Sequence, residues 1–189
     1  MIDQPSQDNP RYAAQHQLNR IGPMGQARLA EAHVAIVGVG GLGAAGAMLL
    51  ARAGVGKLTL IDRDIVEMSN LHRQLLFDEN DAKVGEAKAV AATRRLQQIN
   101  SQILVESIVA DVTATNVKSL IGDAEIIYDG LDNFQTRYLL NDLAVHTAKP
   151  FVYGGAVGDQ MTQAVILPRT MDVDATHHTP CLRCLGSMP

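Results

Sequence analysis

The segment Gly38-Val39-Gly40-Gly41-Leu42-Gly43 carries the first sign of chemistry in this chain, because it contains the spacing Gly-x-Gly-x-x-Gly. Glycines so spaced let the backbone turn tightly and approach a phosphate, which the N-terminus of a following helix attracts. Asp62 closes the next apolar run about twenty residues further on, the place from which an acid bonds ribose hydroxyls. Loop and acid together predict a nucleotide site; the plainer alternative is a turn that merely packs closely. The loop by itself does not choose the nucleotide, and NAD is its commonest ligand. Asn70, Arg73 and Gln74 follow in Ser69-Asn70-Leu71-His72-Arg73-Gln74, and Lys88 lies at the start of a helix. Asp132-Asn133 follows a fourth strand, at the carboxyl edge where open parallel sheets bind ligands. An arginine and a lysine gathered around one crevice suit the larger charge of a triphosphate. An aspartate at a strand end suits Mg²⁺, which takes one or two carboxylates plus phosphate oxygens.

These residues need elements to hold them. His33 to Val37 is a short β-branched run that stops at the glycines, the pattern of a buried strand. A helix over Ala44 to Ala53 stops at Gly54, and Lys57 to Ile61 is a second strand. A long helix is expected over Val84 to Ile99, a strand over Ile103 to Val109, and a helix over Thr113 to Ile121. Ala124 to Tyr128 reads as a strand, Asn133 to Thr147 as a helix, and Phe151 to Tyr153 and Gln160 to Leu167 as strands. Before the first strand, Gly22-Pro23-Met24-Gly25 is expected to separate two short helices. Strands alternating with helices imply an α/β fold, a Rossmann-like, mostly parallel sheet with helices on both faces. Gly154-Gly155-Ala156 either lets an extended tail approach the backbone or makes a tight bend between strands.

Composition narrows the function classes. The 189 residues are 47% hydrophobic and 19% charged, ordinary for a globular protein. No run of about 18 apolar residues spans a membrane, and residues 1–9 lack the pattern of a signal peptide, so a cytoplasmic location is expected. A net charge of −4 argues against a general nucleic-acid binder. The two cysteines, Cys181 and Cys184, suggest a metal or redox motif rather than a disulfide framework.

The chain resembles the ThiF/MoeB/HesA family, bacterial relatives of ubiquitin-activating enzymes. The likeness runs in order through Arg11-Tyr12, Gly38–Gly43, Asp62-Arg63-Asp64, Ser69–Gln74, Gly85-Glu86-Ala87-Lys88, Asp129-Gly130-Leu131-Asp132-Asn133 and Cys181-Leu182-Arg183-Cys184. The resemblance implies an adenylyltransferase that joins ATP to the C-terminal carboxylate of a small ubiquitin-like carrier protein ending in Gly-Gly, and it implies a homodimer. ATP would lie on Gly38, Gly40, Gly41 and Gly43 with Asp62 on the ribose. Asp64, Gln74 and Asn133 would join the site, Asn70, Arg73 and Lys88 would hold the phosphates, and Asp132 would hold Mg²⁺. Residues 1–32 would form an N-terminal helical arm, 33–168 the ATP-binding adenylation domain, and 169–189 a crossover loop with part of a zinc motif. Arg137 matches a family position, either shaping the magnesium loop or pairing with an acid on the helix surface.

Three departures from the family pattern stand out. The family usually reads Arg-Tyr-x-Arg-Gln near its start, its second arginine reaching the neighbouring subunit's ATP; here that position is Ala14, with Arg11 and Arg20 as candidate substitutes. The family commonly binds Zn²⁺ with two CxxC pairs, whereas Cys181 and Cys184 are the only cysteines, and a structural zinc wants four ligands. His177 and His178 are candidates to complete the set. Otherwise the chain is expected to be cut before its second pair, leaving the CxxC as a flexible tail. Finally, no cysteine precedes Cys181, so the reaction is expected to stop at the acyl-adenylate. A non-catalytic nucleotide-binding member and an NAD-dependent oxidoreductase are the alternatives.

Overall fold

The computed structural model describes residues 9–168 and 179–186. Two helices, α1 (Ala13–His16) and α2 (Gly22–Glu31), lead into β1 (His33–Val37), whose five residues are all buried. There follow α3 (Gly41–Ala53), β2 (Lys57–Ile61), α4 (Glu79–Val84), α5 (Lys88–Ile99) and β3 (Leu104–Ile108). The chain continues through α6 (Val117–Ile121), β4 (Ile126–Asp129), α7 (Phe134–Thr147), β5 (Phe151–Val157) and β6 (Gln160–Ile166). One sheet results, in the order β3-β2-β1-β4-β5-β6, parallel except for the antiparallel pair β5–β6.

Side chains alternate along a strand, so β1 feeds two cores. Val34 and Ile36 pack with Ala47 and Ala51 of α3 and Ala92 and Leu96 of α5. Ala35 and Val37 pack on the other face with Val117 of α6 and Leu140 and Ala144 of α7. The chain first builds outward from β1 through β2 and β3, then returns to lay β4 on β1's other side. Loops leaving the carboxyl ends of β1 and β4 therefore part in opposite directions, and the crevice between them is where open α/β sheets bind ligands.

Four local expectations change. Gly22-Pro23-Met24-Gly25 does not interrupt a helix; it opens α2, with Pro23 in the first turn, where a missing N–H breaks no helix bond. Residues 84–99 are not one helix. Gly85 caps α4 in the left-handed region at φ 64°, Ala87 is extended, and Lys88 becomes the first residue of a new helix. The third helix starts at Gly41 rather than Ala44, drawing the last glycines of the loop into its first turn. Gly154 and Gly155 sit inside the β5–β6 ladder opposite Gln163 and Thr162, so they are not the bend. The bend is at Gly158, where φ is 61°.

Candidate functional site

The six-residue segment after β1, which runs into the first turn of α3, holds two kinds of glycine. A Cβ on Gly43 would lie 1.9 Å from the carbonyl oxygen of Gly38, and one on Gly130 would lie 2.2 Å from that same oxygen. Gly38 itself has φ +84° and packs against the Gly130 carbonyl. These three glycines are explained by the close approach of the two loops alone. Gly40 and Gly41 are not. A Cβ on Gly40 would meet nothing nearer than Gln74 Nε2 at 3.8 Å, and one on Gly41 nothing nearer than the Arg73 carbonyl at 3.7 Å. Neither has a positive φ. Their bareness leaves open space over the N-terminal turn of α3, bordered by Arg73 and Gln74, which is the shape a phosphate requires.

Asp62 ties that loop to the second strand. Its Oδ2 accepts the Val39 N–H at 2.7 Å and its Oδ1 accepts the Asp64 N–H at 2.8 Å. Burial pushes its carboxyl up, while those two amides and the Lys88 charge hold it down. Each carboxylate oxygen keeps a lone pair for a further donor. Asp64 turns toward Lys88 through both its carbonyl, which accepts the Lys88 N–H at 2.9 Å, and its carboxylate, 3.1 Å from Nζ. Lys88 is buried at the N-terminus of α5, the end where the helix dipole disfavours a cation and favours an anion. A phosphate at that place would satisfy both.

Between them, Asn70 is buried, and its carbonyl accepts the amides of both Arg73 and Gln74 at 3.1 Å. This turn presents Arg73 to solvent, its Nη1 donating to the Ser69 carbonyl at 3.1 Å. Gln74 is only 3% exposed, yet its Oε1 has no hydrogen-bond partner among the described residues. It is the Nε2 of Gln74, not this buried oxygen, that faces Gly40, 3.8 Å from where a Cβ would stand. His72 is exposed between these residues.

At the other wall, Asp132 is exposed at the rim. Asn133 caps α7, its side chain accepting the Thr136 N–H at 3.0 Å. Arg137 is not a surface partner: it is 4% exposed, with Nε 2.6 Å from Asp129 Oδ2. Burial pushes the Asp129 carboxyl up to about 6, against the pull of the Arg137 guanidinium and the Leu131 amide. Asp129 opens the segment Asp129-Gly130-Leu131-Asp132-Asn133, and nothing in its spacing from Arg137 marks an ion pair.

The CxxC segment is not a loose tail within the described residues. Residues 182–185 form a turn in which the Leu182 N–H donates to Asn141 Oδ1 at 2.9 Å. Arg183 grips Asp142 with two bonds of 2.7 and 2.6 Å and covers the Tyr138 ring at 4.9 Å. Burial would push the Cys181 thiol up, but hydrogen bonds from the Cys184, Arg183 and Asn141 side of the turn bring it below its usual value. Leu182, buried against the α7 core, anchors the turn. The two sulfurs lie 3.6 Å apart. They would supply at most two of the four ligands a structural zinc wants, and among the described residues no third His, Cys, Asp or Glu joins them. His177, His178 and most of the crossover loop lie outside the described residues. Mg²⁺ asks less of the protein, and a rim carboxylate such as Asp132 fits its habit of sharing phosphate oxygens. No helix among the described residues is long and apolar enough to cross a membrane.

Known proteins resemble this chain in sequence and fold. The ThiF family model matches residues 12–189. The chain is 48% identical over 175 residues to the sulfur carrier protein ThiS adenylyltransferase of Bacillus subtilis, covering 93% of this chain and 50% of that protein. It is 41% identical over 179 residues to the sulfur carrier protein adenylyltransferase of Thermus thermophilus, covering 95% of this chain and 64% of the relative. Among solved structures, E. coli MccB with ATP superposes with a TM-score of 0.79 at 29% identity, covering 95% of this chain and 52% of that one. The chain thus spans about half the length of several proteins it matches.

Proposed function

The chain belongs to the ThiF family, and we propose that it adenylates the C-terminal glycine carboxylate of a small ubiquitin-like sulfur-carrier protein, using ATP and Mg²⁺ and releasing pyrophosphate. The observation that carries this reading is the open space over Gly40 and Gly41, which packing does not require and a phosphate does. The likeness to the solved structure of E. coli MccB with ATP, and to adenylyltransferases of sulfur carriers, supports the choice of nucleotide and of partner.

A carboxylate is already ionised near neutral pH, so its attack on the α-phosphate needs no general base. The task of the chain is position and charge. Asp62 would orient the ribose, the Gly40–Gly41 backbone would admit the phosphates, and Asn70, Arg73 and Lys88 would face their negative oxygens. Asp64 and Gln74 complete this wall, Asp64 by holding Lys88. Asp132 would hold Mg²⁺, which when bound neutralises phosphate charge. Asn133 would serve by capping the helix behind Asp132. Gly154, where a Cβ would meet nothing nearer than Leu42 at 3.6 Å, would let the carrier's Gly-Gly tail lie against β5. Cys181 and Cys184 would contribute to a zinc site only with ligands from outside the described residues. A homodimer is part of the same proposal.

The test is ATP–pyrophosphate exchange with and without a carrier ending in Gly-Gly. Exchange that depends on the carrier and on its terminal glycine is expected; exchange with neither would defeat the reading. Ala14 favours a second reading, a nucleotide-binding member that does not adenylate. Position 14 is exposed on α1, and Arg11 is occupied, its Nη1 donating to the Ile99 carbonyl at 3.0 Å. Restoring the charge with Ala14→Arg is expected to raise exchange if that arginine is what limits the chain. No gain would mean that the arginine missing at position 14 is not what limits the chain, leaving Arg11 and Arg20 as candidate substitutes.

A further inference from the structure

Asp132 has no visible support of its own, yet the residue one step before it is held from both sides. The Leu131 N–H donates to Asp129 Oδ1 at 2.9 Å, and the Leu131 carbonyl accepts from Arg137 Nη2 at 2.5 Å. Asp129 Oδ2 closes the ring by accepting Arg137 Nε at 2.6 Å. The same Nη2 also donates to the Gly154 carbonyl on β5 at 3.1 Å. The guanidinium lies 5.0 Å from the Phe134 ring centroid and 4.8 Å from that of Tyr153, which fixes its plane. A lysine cannot reproduce this, because one ammonium cannot serve three acceptors on three segments with fork geometry.

We propose that the Asp129–Arg137 pair is a positioning device that sets Asp132 for Mg²⁺ and registers the Gly154 segment of β5 against it. The proposal rests on the adenylation reading, since it assumes that Asp132 meets the metal. Besides the bond to Asp129, two donations go to backbone carbonyls on two different segments, the loop after β4 and strand β5. Mg²⁺ tolerates little departure from octahedral geometry, so a loosened Leu131 peptide would be felt at the metal before it was felt at the nucleotide base. Groups that orient a metal ligand commonly contribute about 10- to 100-fold to metal affinity. Arg137 is a positioning residue in this account: it acts through the loop, not on the substrate.

The experiment is calorimetric titration of ATP in EDTA and again in excess Mg²⁺. It compares the wild-type chain with Arg137→Lys, Asp129→Asn and Asp132→Ala, with a thermal scan of each to establish folding. Arg137→Lys is expected to bind metal-free ATP as the wild type does, within about twofold, and to lose about tenfold of the gain from Mg²⁺. Asp132→Ala should show the same pattern. Asp129→Asn is isosteric, turns an amide toward one of its two donors, and carries the test should Arg137→Lys fail to fold. A full Mg²⁺ gain in a folded Arg137→Lys or Asp129→Asn overturns the inference while leaving the adenylation reading intact. Equal losses with and without Mg²⁺ overturn it too, because they mean a general structural role. If wild-type ATP binding shows no gain from Mg²⁺, the functional reading falls first and takes this inference with it.

Discussion

The loops leaving β1 and β4 face each other across one crevice, but they are stiffened by opposite means. The first is held by backbone against backbone: Gly38 and Gly43, with Gly130 from across the crevice, approach so closely that no side chain fits. The second is held by a buried charge, Arg137, whose guanidinium binds Asp129, Leu131 and Gly154. Backbone packing leaves its polar edge free for a ligand, as at Gly40 and Gly41. A buried ion pair spends its donors on the protein and serves the ligand only through what it positions. In the proposed function, the wall built of glycines would receive phosphate, and the wall built on an arginine would present Asp132 to the metal.

This contrast can be broken by mutation. The largest effect is expected at the charged wall. Arg137→Ala leaves Asp129 buried without its partner and should cost about 3–5 kcal/mol in denaturant unfolding. A cost below about 1 kcal/mol would mean that the pair does not hold the loop. At the glycine wall, Gly43→Ala forces a Cβ to within 1.9 Å of a carbonyl oxygen, and a loss of roughly 1–3 kcal/mol or more is expected. Gly41→Ala is the control: its stability should change by no more than about 0.5 kcal/mol, while the thermal shift given by Mg·ATP is lost. If both glycine variants behave alike, the division into packing and ligand glycines is wrong. Asn133→Ala removes a helix cap and should cost about 1 kcal/mol, with the Mg²⁺ dependence largely kept.

The smallest effect sharpens the electrostatic side. Asp129 titrates near 3.8 when unfolded and is raised to about 6 by burial in the fold. The folded protein therefore binds the extra proton through that window, and its stability from this group is lost as pH rises through about 6. Asp62 is raised as well, but it is present in both proteins and cancels in a comparison. The stability of the wild type relative to Asp129→Asn should fall between about pH 4 and 6 and level off above. A rise over that range would mean that the pull of Arg137 outweighs burial.

Much of this was legible in the sequence because spacing expresses backbone geometry. The glycine loop, the acid closing β2 and the β-branched run of β1 each follow from a local rule, and so does the stop at Gly54. The errors came where one residue carries two meanings. Pro23 breaks a helix interior but opens a helix at its first turn. Gly85 lies within a periodic pattern, yet its left-handed φ ends one helix and lets Lys88 begin the next. The Asp129–Arg137 ring was illegible for a different reason. It depends on β4, α7 and β5 converging, and nothing in a linear spacing says that one guanidinium will reach all three. The docking of Leu182 on Asn141 is tertiary in the same way.

The central claim is that the crevice between these loops takes a triphosphate with its metal, and a thermal unfolding scan tests it most directly. Mg·ATP, NAD⁺ and NADH would each be added at millimolar concentration to the wild-type chain and to Asp132→Ala. A ligand at one hundred times its Kd stabilises by about 2.7 kcal/mol, enough to move the midpoint by several degrees. The account predicts such a rise with Mg·ATP in the wild type, its marked reduction in Asp132→Ala, and none with NAD⁺ or NADH. A rise with NAD⁺ or NADH alone would contradict it and return the glycine loop to dinucleotide binding.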